Sequence, residues 1–169
     1  MKYNYKQKWI CERKLKGLPV NLKRILVDNS SLTKRIINSK SNHVRFISSQ
    51  ISLTSRFSNE SKKFLFIRKV ELRGKLNKSI KAVSYTPVNI IKGQISYIKH
   101  LKEKSLATLL FKKHSFIKHA INYSLLEDSV LRVTLFKKNK IIIRVEETFP
   151  INNNYEEISL IDCRKNLIN

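Results

Sequence analysis

Glycine and proline are scarce, with 3 of each in 169 residues. Flexible linkers, collagen-like repeats and low-complexity tracts need far more, so those classes are excluded. Cysteine is scarcer still. Cys11 and Cys163 stand far apart without CxxC or Cys/His spacing, which argues for reduced thiols and against a disulfide framework or a zinc site. No run approaches the roughly 18 consecutive apolar residues of a membrane helix. The opening stretch "MKYNYKQKWICERK" lacks the apolar core of a secretory signal and the Arg- and Ser-rich character of a transit peptide. The protein is therefore expected to act where it is made.

Acidic residues are few as well: 12 Asp+Glu face 35 Lys+Arg, a formal charge of +23. Such a balance suggests nucleic-acid binding. The 25 Lys, 21 Ile and 15 Asn nevertheless fill over a third of the chain, and all three have A/T-rich codons. The lysines are spread over every segment rather than gathered in a stripe or tail. Compositional drift is the preferred reading, and a basic surface would still steer any anionic metabolite inward.

What is present is enough apolar sequence, 41%, for one domain with a real core. No linker divides residues 1–169, so a single domain is expected, with its core over about 22–150 and peripheral tails at both ends. "LPVNLKRILVDNSSLTKRIINSK" reads as two short helices. Leu22, Ile25 and Leu26 share a face of the first, and Ser31 caps the second. "VRFISSQIS" can form a strand. "KFLFIRKVELRG" and "KSIKAVSYTPV" are strands around a "GKLNK" connection. "NIIKGQISYIKHL" and "SLATLLFKKH" read as helical, the latter behind Ser105. "FIKHAINYSLL" and "VLRVTLFKKNKIIIRVEETFP" then supply further strands, with "KKNK" as a hairpin turn. The expected class is α+β, an antiparallel sheet with flanking helices.

Alternation within two of these strands puts a charge on an apolar face. In the first, Phe64, Phe66, Arg68, Val70 and Leu72 lie together, and Lys69 points the other way. In the last, Ile141, Ile143, Val145, Glu147 and Phe149 lie together, with Glu146 on the opposite side. A lone buried charge costs several kcal/mol, so each must have a partner. Either Arg68 and Glu147 pair as a structural salt bridge, or each serves a ligand. In the second case Arg68 is the planar fork for a carboxylate. Glu147 serves a hydroxyl or a proton transfer, with a pKa raised by burial. Two helix starts bear on the choice. "SSLTKR" and "KSLATLLF" place the N–H groups of Leu32 and Leu106 among those lacking an intrahelical acceptor, where anions are favoured. Capping alone also explains each Ser-Leu pair. His43, His100, His114 and His119 form no metal-ligand spacing.

The order "LVDNSSLTKRI", "ESKKFLFIRKVEL", "AVSYTPV", "LKEKSLATLLF" and "RVEETFP" resembles the chorismate pyruvate-lyase family over about residues 22–150. It looks most like the branch encoded in red-algal plastid genomes, with cyanobacterial relatives. The resemblance implies an antiparallel sheet with flanking helices around an internal ligand site. It implies conversion of chorismate to 4-hydroxybenzoate and pyruvate for quinone biosynthesis, without metal or organic cofactor, in a soluble plastid protein. Carried over, the carboxylate-binding arginine falls on Arg68. The acidic residue at the 4-hydroxyl end falls on Glu147, or one position earlier on Glu146. The backbone-contributing positions fall on Leu32 and Leu106. Catalytic roles are thereby implied for Arg68 and Glu147, and substrate binding for all four. Two departures stand out. The bacterial enzymes tend to have Met at the position of Leu32, and Arg before Ser or Thr where this chain has Val83-Ser84.

Two other classes of function remain open at this point. The same fold resembles the effector-sensing domain of some transcription regulators, which implies a binding module for small aromatic carboxylates without catalysis. Nucleic-acid binding ranks third, because the sequence has no clustered basic helix or aromatic-rich strand pair; it predicts steeply salt-dependent affinity.

Overall fold

The computed structural model describes residues 8–28, 32, 43–55, 62–73, 76, 78–91, 96–104, 106, 110, 116–156 and 158. Strands rich in Phe, Ile, Val and Leu dominate them, as the pleated, half-buried environment of a sheet favours. They are β1 (His43–Thr54), β2 (Lys63–Arg73), β3 (Ile80–Pro87), β4 (Ile117–Leu125), β5 (Ser129–Lys138) and β6 (Ile141–Pro150). All pair antiparallel in one open sheet of order β1-β2-β3-β6-β5-β4. Two consecutive three-stranded meanders are thus joined side by side through β3 and β6.

The expected "KKNK" turn forms between β5 and β6, where Lys138 pairs with Ile141 and leaves Asn139 and Lys140 at the bend. Asn139 takes a φ of 52°, a left-handed conformation that Asn tolerates better than most residues. The first expected helix is α1 (Val20–Val27), which buries Leu22, Ile25 and Leu26 at i, i+3, i+4 spacing. The described residues of the "NIIKGQISYIKHL" region form the helical turn α2 (Val88–Ile91) and a 3-10 turn at Ser96–His100; residues 92–95 lie outside the described residues. In the two remaining helix regions Leu32, Leu106 and Leu110 are helical; Ser31, Ser105, His114 and Cys163 lie outside the described residues. No described helix is long and apolar enough to cross a membrane.

Paired residues in an antiparallel ladder share a face. The register therefore puts Phe66, Arg68, Val70 and Leu72 of β2 with Thr86, Ser84, Ala82 and Ile80 of β3. Ser84 continues to Val145 and Ala82 to Glu147 of β6, and these to Thr134 and Arg132 of β5. Two apolar clusters cover this face. One packs α1, Leu15 and Leu32 against Val70, Leu72, Ile80, Val130 and Phe149. The other packs Ile98, Leu101, Leu106, Leu110 and Phe116 against Phe66, Phe136 and Ile143.

Among the described residues outside 22–150, several pack into the core. Ile10 forms a β-bridge with Tyr123, and Leu15 is fully buried beneath α1. Tyr155 and Ile158 enter the same cluster. Tyr155 lies against Phe149 and donates its hydroxyl to the Pro150 carbonyl at 2.7 Å. Isolated apolar positions such as these carry no periodicity, so the sequence offers no local sign of their burial.

Candidate functional site

A belt of polar side chains crosses the covered face between the two apolar clusters. Along β2 the order is Phe66, Arg68, Val70. Along β5 it is Val130, Arg132, Thr134, Phe136. Arg68 (4% exposed), Ser84 (5%), Thr86 (0%), Arg132 (3%) and Thr134 are all buried. The side chain of Glu147 is only 12% exposed. So many buried polar groups on one core face call for partners, since each left unpaired costs about 1–3 kcal/mol.

Arg68 and Glu147 do not pair with each other, so the salt-bridge alternative is overturned. The reason is topological. β3 stands between their strands, and its register sets Arg68 opposite Ser84 but Glu147 opposite Ala82. Arg132 lies directly across from Glu147 on β5, and its Nε donates to Glu147 Oε2 at 2.8 Å. The same guanidinium sits 5.0 Å from the centre of the Phe149 ring. Its Nη1 donates to the carbonyls of Ile25 (2.9 Å) and Leu26 (3.0 Å) at the end of α1. Those carbonyls have no intrahelical donor, and the helix dipole favours a cation there. Tyr123 adds a hydroxyl donated to Leu26 O at 3.0 Å. Glu147 is thus held by a residue that is itself held on three sides.

At the other end of the belt, Arg68 donates through Nη2 to the Lys102 carbonyl at 2.5 Å and the Lys104 carbonyl at 2.9 Å. These contacts fasten the turn just before Leu106, and both Leu106 and Phe66 belong to the cluster beside it. Burial lowers the Arg68 pKa to about 10, which leaves it a cation at neutral pH. No carboxylate bonds Arg68 among the described residues. Its Nε, with Ser84 Oγ and Thr86 Oγ1, has no protein hydrogen-bond partner there.

Glu146 faces the opposite side, where Arg144 donates to it at 2.9 Å and the Tyr85 hydroxyl at 3.2 Å. Of the two candidate carboxylates, Glu147 is the one that shares a face with Arg68. Leu32 and Leu106 are both buried, one in each apolar cluster, so they flank the belt from opposite sides.

Arg132 was not among the candidates read from the sequence. "SVLRVTLF" carries the sign that would have found it, because alternation sets Val130, Arg132, Thr134 and Phe136 on one face, the pattern already noted around Arg68. Lys118 of β4 is a second addition. It pairs across from Phe136, and its pKa is lowered to about 8. Desolvation is the main cause, with the Arg132 charge adding to it and Glu147 and Asp28 opposing. A separate surface cavity of about 380 Å³ opens beyond the Arg132 end, between Trp9, Cys11, Val27, Ile121 and Tyr123. Among the described residues no group of three His, Cys, Asp or Glu side chains is arranged to hold a metal.

The belt, a buried cation at one end and a clamped carboxylate at the other, defines a candidate site for a small polar ligand within an antiparallel α+β fold. No protein-family model matches the sequence, and no curated protein matches it.

Proposed function

We propose that this chain is a chorismate pyruvate-lyase that converts chorismate to 4-hydroxybenzoate and pyruvate in a plastid, supplying quinone biosynthesis. The observation that carries the reading is the placement of Arg68 and Glu147 on one covered face, on strands separated by β3. Two strand spacings and a two-residue offset separate their Cα atoms by about 12 Å. With both side chains extended over the sheet, the gap suits one substituted six-membered ring. The motif order noted in the sequence supports the same assignment.

In this mechanism the guanidinium of Arg68 receives the ring carboxylate, with backbone N–H groups of Leu106 and Leu32 contributing from either side. Glu147 accepts a hydrogen bond from the 4-hydroxyl and so fixes the orientation of the ring. Its carboxylate is tied to Arg132 at 2.8 Å, which suits an acceptor better than a group that must give up a proton. The ether C–O bond to the enolpyruvyl group breaks and the proton on the hydroxyl-bearing ring carbon leaves. The ring becomes aromatic, and the departing enolpyruvate takes up a proton to become pyruvate. Aromatisation drives the elimination, while the protein contributes positioning and exclusion of water.

The test is to mix the purified chain with chorismate and follow 4-hydroxybenzoate and pyruvate together. Arg68→Ala abolishes turnover; Lys69→Ala, exposed on the opposite face, leaves it intact. Equal effects of the two substitutions would refute the placement. Binding of 4-hydroxybenzoate without release of pyruvate would instead identify a non-catalytic binding protein.

A further inference from the structure

The unpartnered atoms at the Arg68 end are not scattered. Ser84 lies directly across the ladder from Arg68, and Thr86 lies two residues further along the same face, opposite Phe66. Arg68 reaches toward the Lys102–Lys104 turn, whose continuation, Leu106, packs in the cluster containing Phe66. The guanidinium therefore leans to the side on which Thr86 stands. Three polar atoms, Arg68 Nε, Ser84 Oγ and Thr86 Oγ1, are buried within this patch without a protein partner among the described residues. Folded proteins pair nearly all such atoms, so a cluster of three on adjacent strands is a feature to be explained.

All three can donate a hydrogen bond, and one carries a positive charge. A negatively charged acceptor matches such a set best, since Nε–H can only donate and both hydroxyls can turn their protons toward it. We propose that Ser84 and Thr86 complete a carboxylate subsite with Arg68, in which the Nε–H and the two hydroxyls bond the carboxylate oxygens of a small ligand. Arg68 supplies the charge, which favours a carboxylate over a neutral amide; the two hydroxyls add donors to the carboxylate oxygens. The inference rests on the aromatic-acid reading of the site for its ligand and extends it to two residues on β3. It also bears on the missing arginine at Val83. That side chain belongs to the opposite face, where Val83 packs with Leu65, Ile67 and Tyr85, so the donors on the ligand side come from its neighbour Ser84.

The test uses the full chain, Ser84→Ala and the isosteric Thr86→Val, with 4-hydroxybenzoate, benzoate and benzamide as probes. Calorimetry gives affinities, and thermal melting without ligand gives a second readout. Each substitution is expected to weaken both acids by about tenfold and benzamide by less. Each is also expected to keep or raise the melting temperature, because it removes a buried unpaired hydroxyl. Variants that melt lower and bind the acids as the wild type does would show the hydroxyls to be structural, overturning the subsite while the aromatic-acid reading stands. Should the wild type bind neither aromatic acid but be stabilised by acetate in a Ser84-dependent way, the subsite stands and the aromatic-acid reading falls. If no carboxylate binds or stabilises it, both fall.

Discussion

Replacing Arg132 with methionine removes the charge that faces Glu147 while keeping most of the side-chain volume over Phe149. Three contacts disappear: the 2.8 Å ion pair and the two bonds to the end of α1. Breaking a buried pair from one side costs about 3–5 kcal/mol, because the remaining charge is stranded. The loss at Ile25 O adds about 1 kcal/mol; Leu26 O keeps the Tyr123 hydroxyl. For a chain of this size a loss of about 4–6 kcal/mol lowers the melting temperature by roughly 10–20 °C. Glu147→Leu is milder, since Arg132 keeps its two carbonyls and the Phe149 ring. Joining the two substitutions removes both charges together, so the double variant should fall short of the summed single costs by about 2–3 kcal/mol. Urea unfolding of the four proteins measures this directly. Strictly additive costs, or a loss under about 1 kcal/mol for Arg132→Met, would mean that water screens the pair as it does at a surface. The account of a clamped interior carboxylate would then be wrong.

Lys118 and Tyr155 offer simpler checks. The folded state holds Lys118 at about 8 against an ordinary 10.5, so above pH 8 the unfolded chain binds a proton that the folded chain does not. Stability should therefore rise between about pH 8 and 10, before the tyrosines titrate, and Lys118→Met should flatten that rise in denaturation curves taken across the window. Tyr155→Ala should cost about 3–5 kcal/mol in the same unfolding assay, since the ring is buried against Phe149 and its hydroxyl meets Pro150 O; a cost near zero would return the segment after β6 to the periphery.

Much of the local architecture can be read along the chain. The alternating apolar positions around Arg68 and Glu147, the i, i+3, i+4 face of α1 and the bend at Asn139 all follow from backbone geometry acting over a few residues. After β3, the described residues of "NIIKGQISYIKHL" are helical at Val88–Ile91 and Ser96–His100. Leu15 and Tyr155 were missed because a single buried residue leaves no pattern.

The pleat alone told which charges share a face: Arg68 with Glu147, and Lys69 and Glu146 on the other. A side chain's direction in a strand depends on its own backbone, and alternation carries that information in the sequence. Which charges meet is a different matter. β3 separates Arg68 from Glu147, β5 brings Arg132 to Glu147, and the turn at Lys102–Lys104 comes to Arg68 from more than 30 residues away. Strand order and register arise from the packing of the whole core, so no local pattern could have shown that the two conspicuous charges belong to opposite ends of one belt.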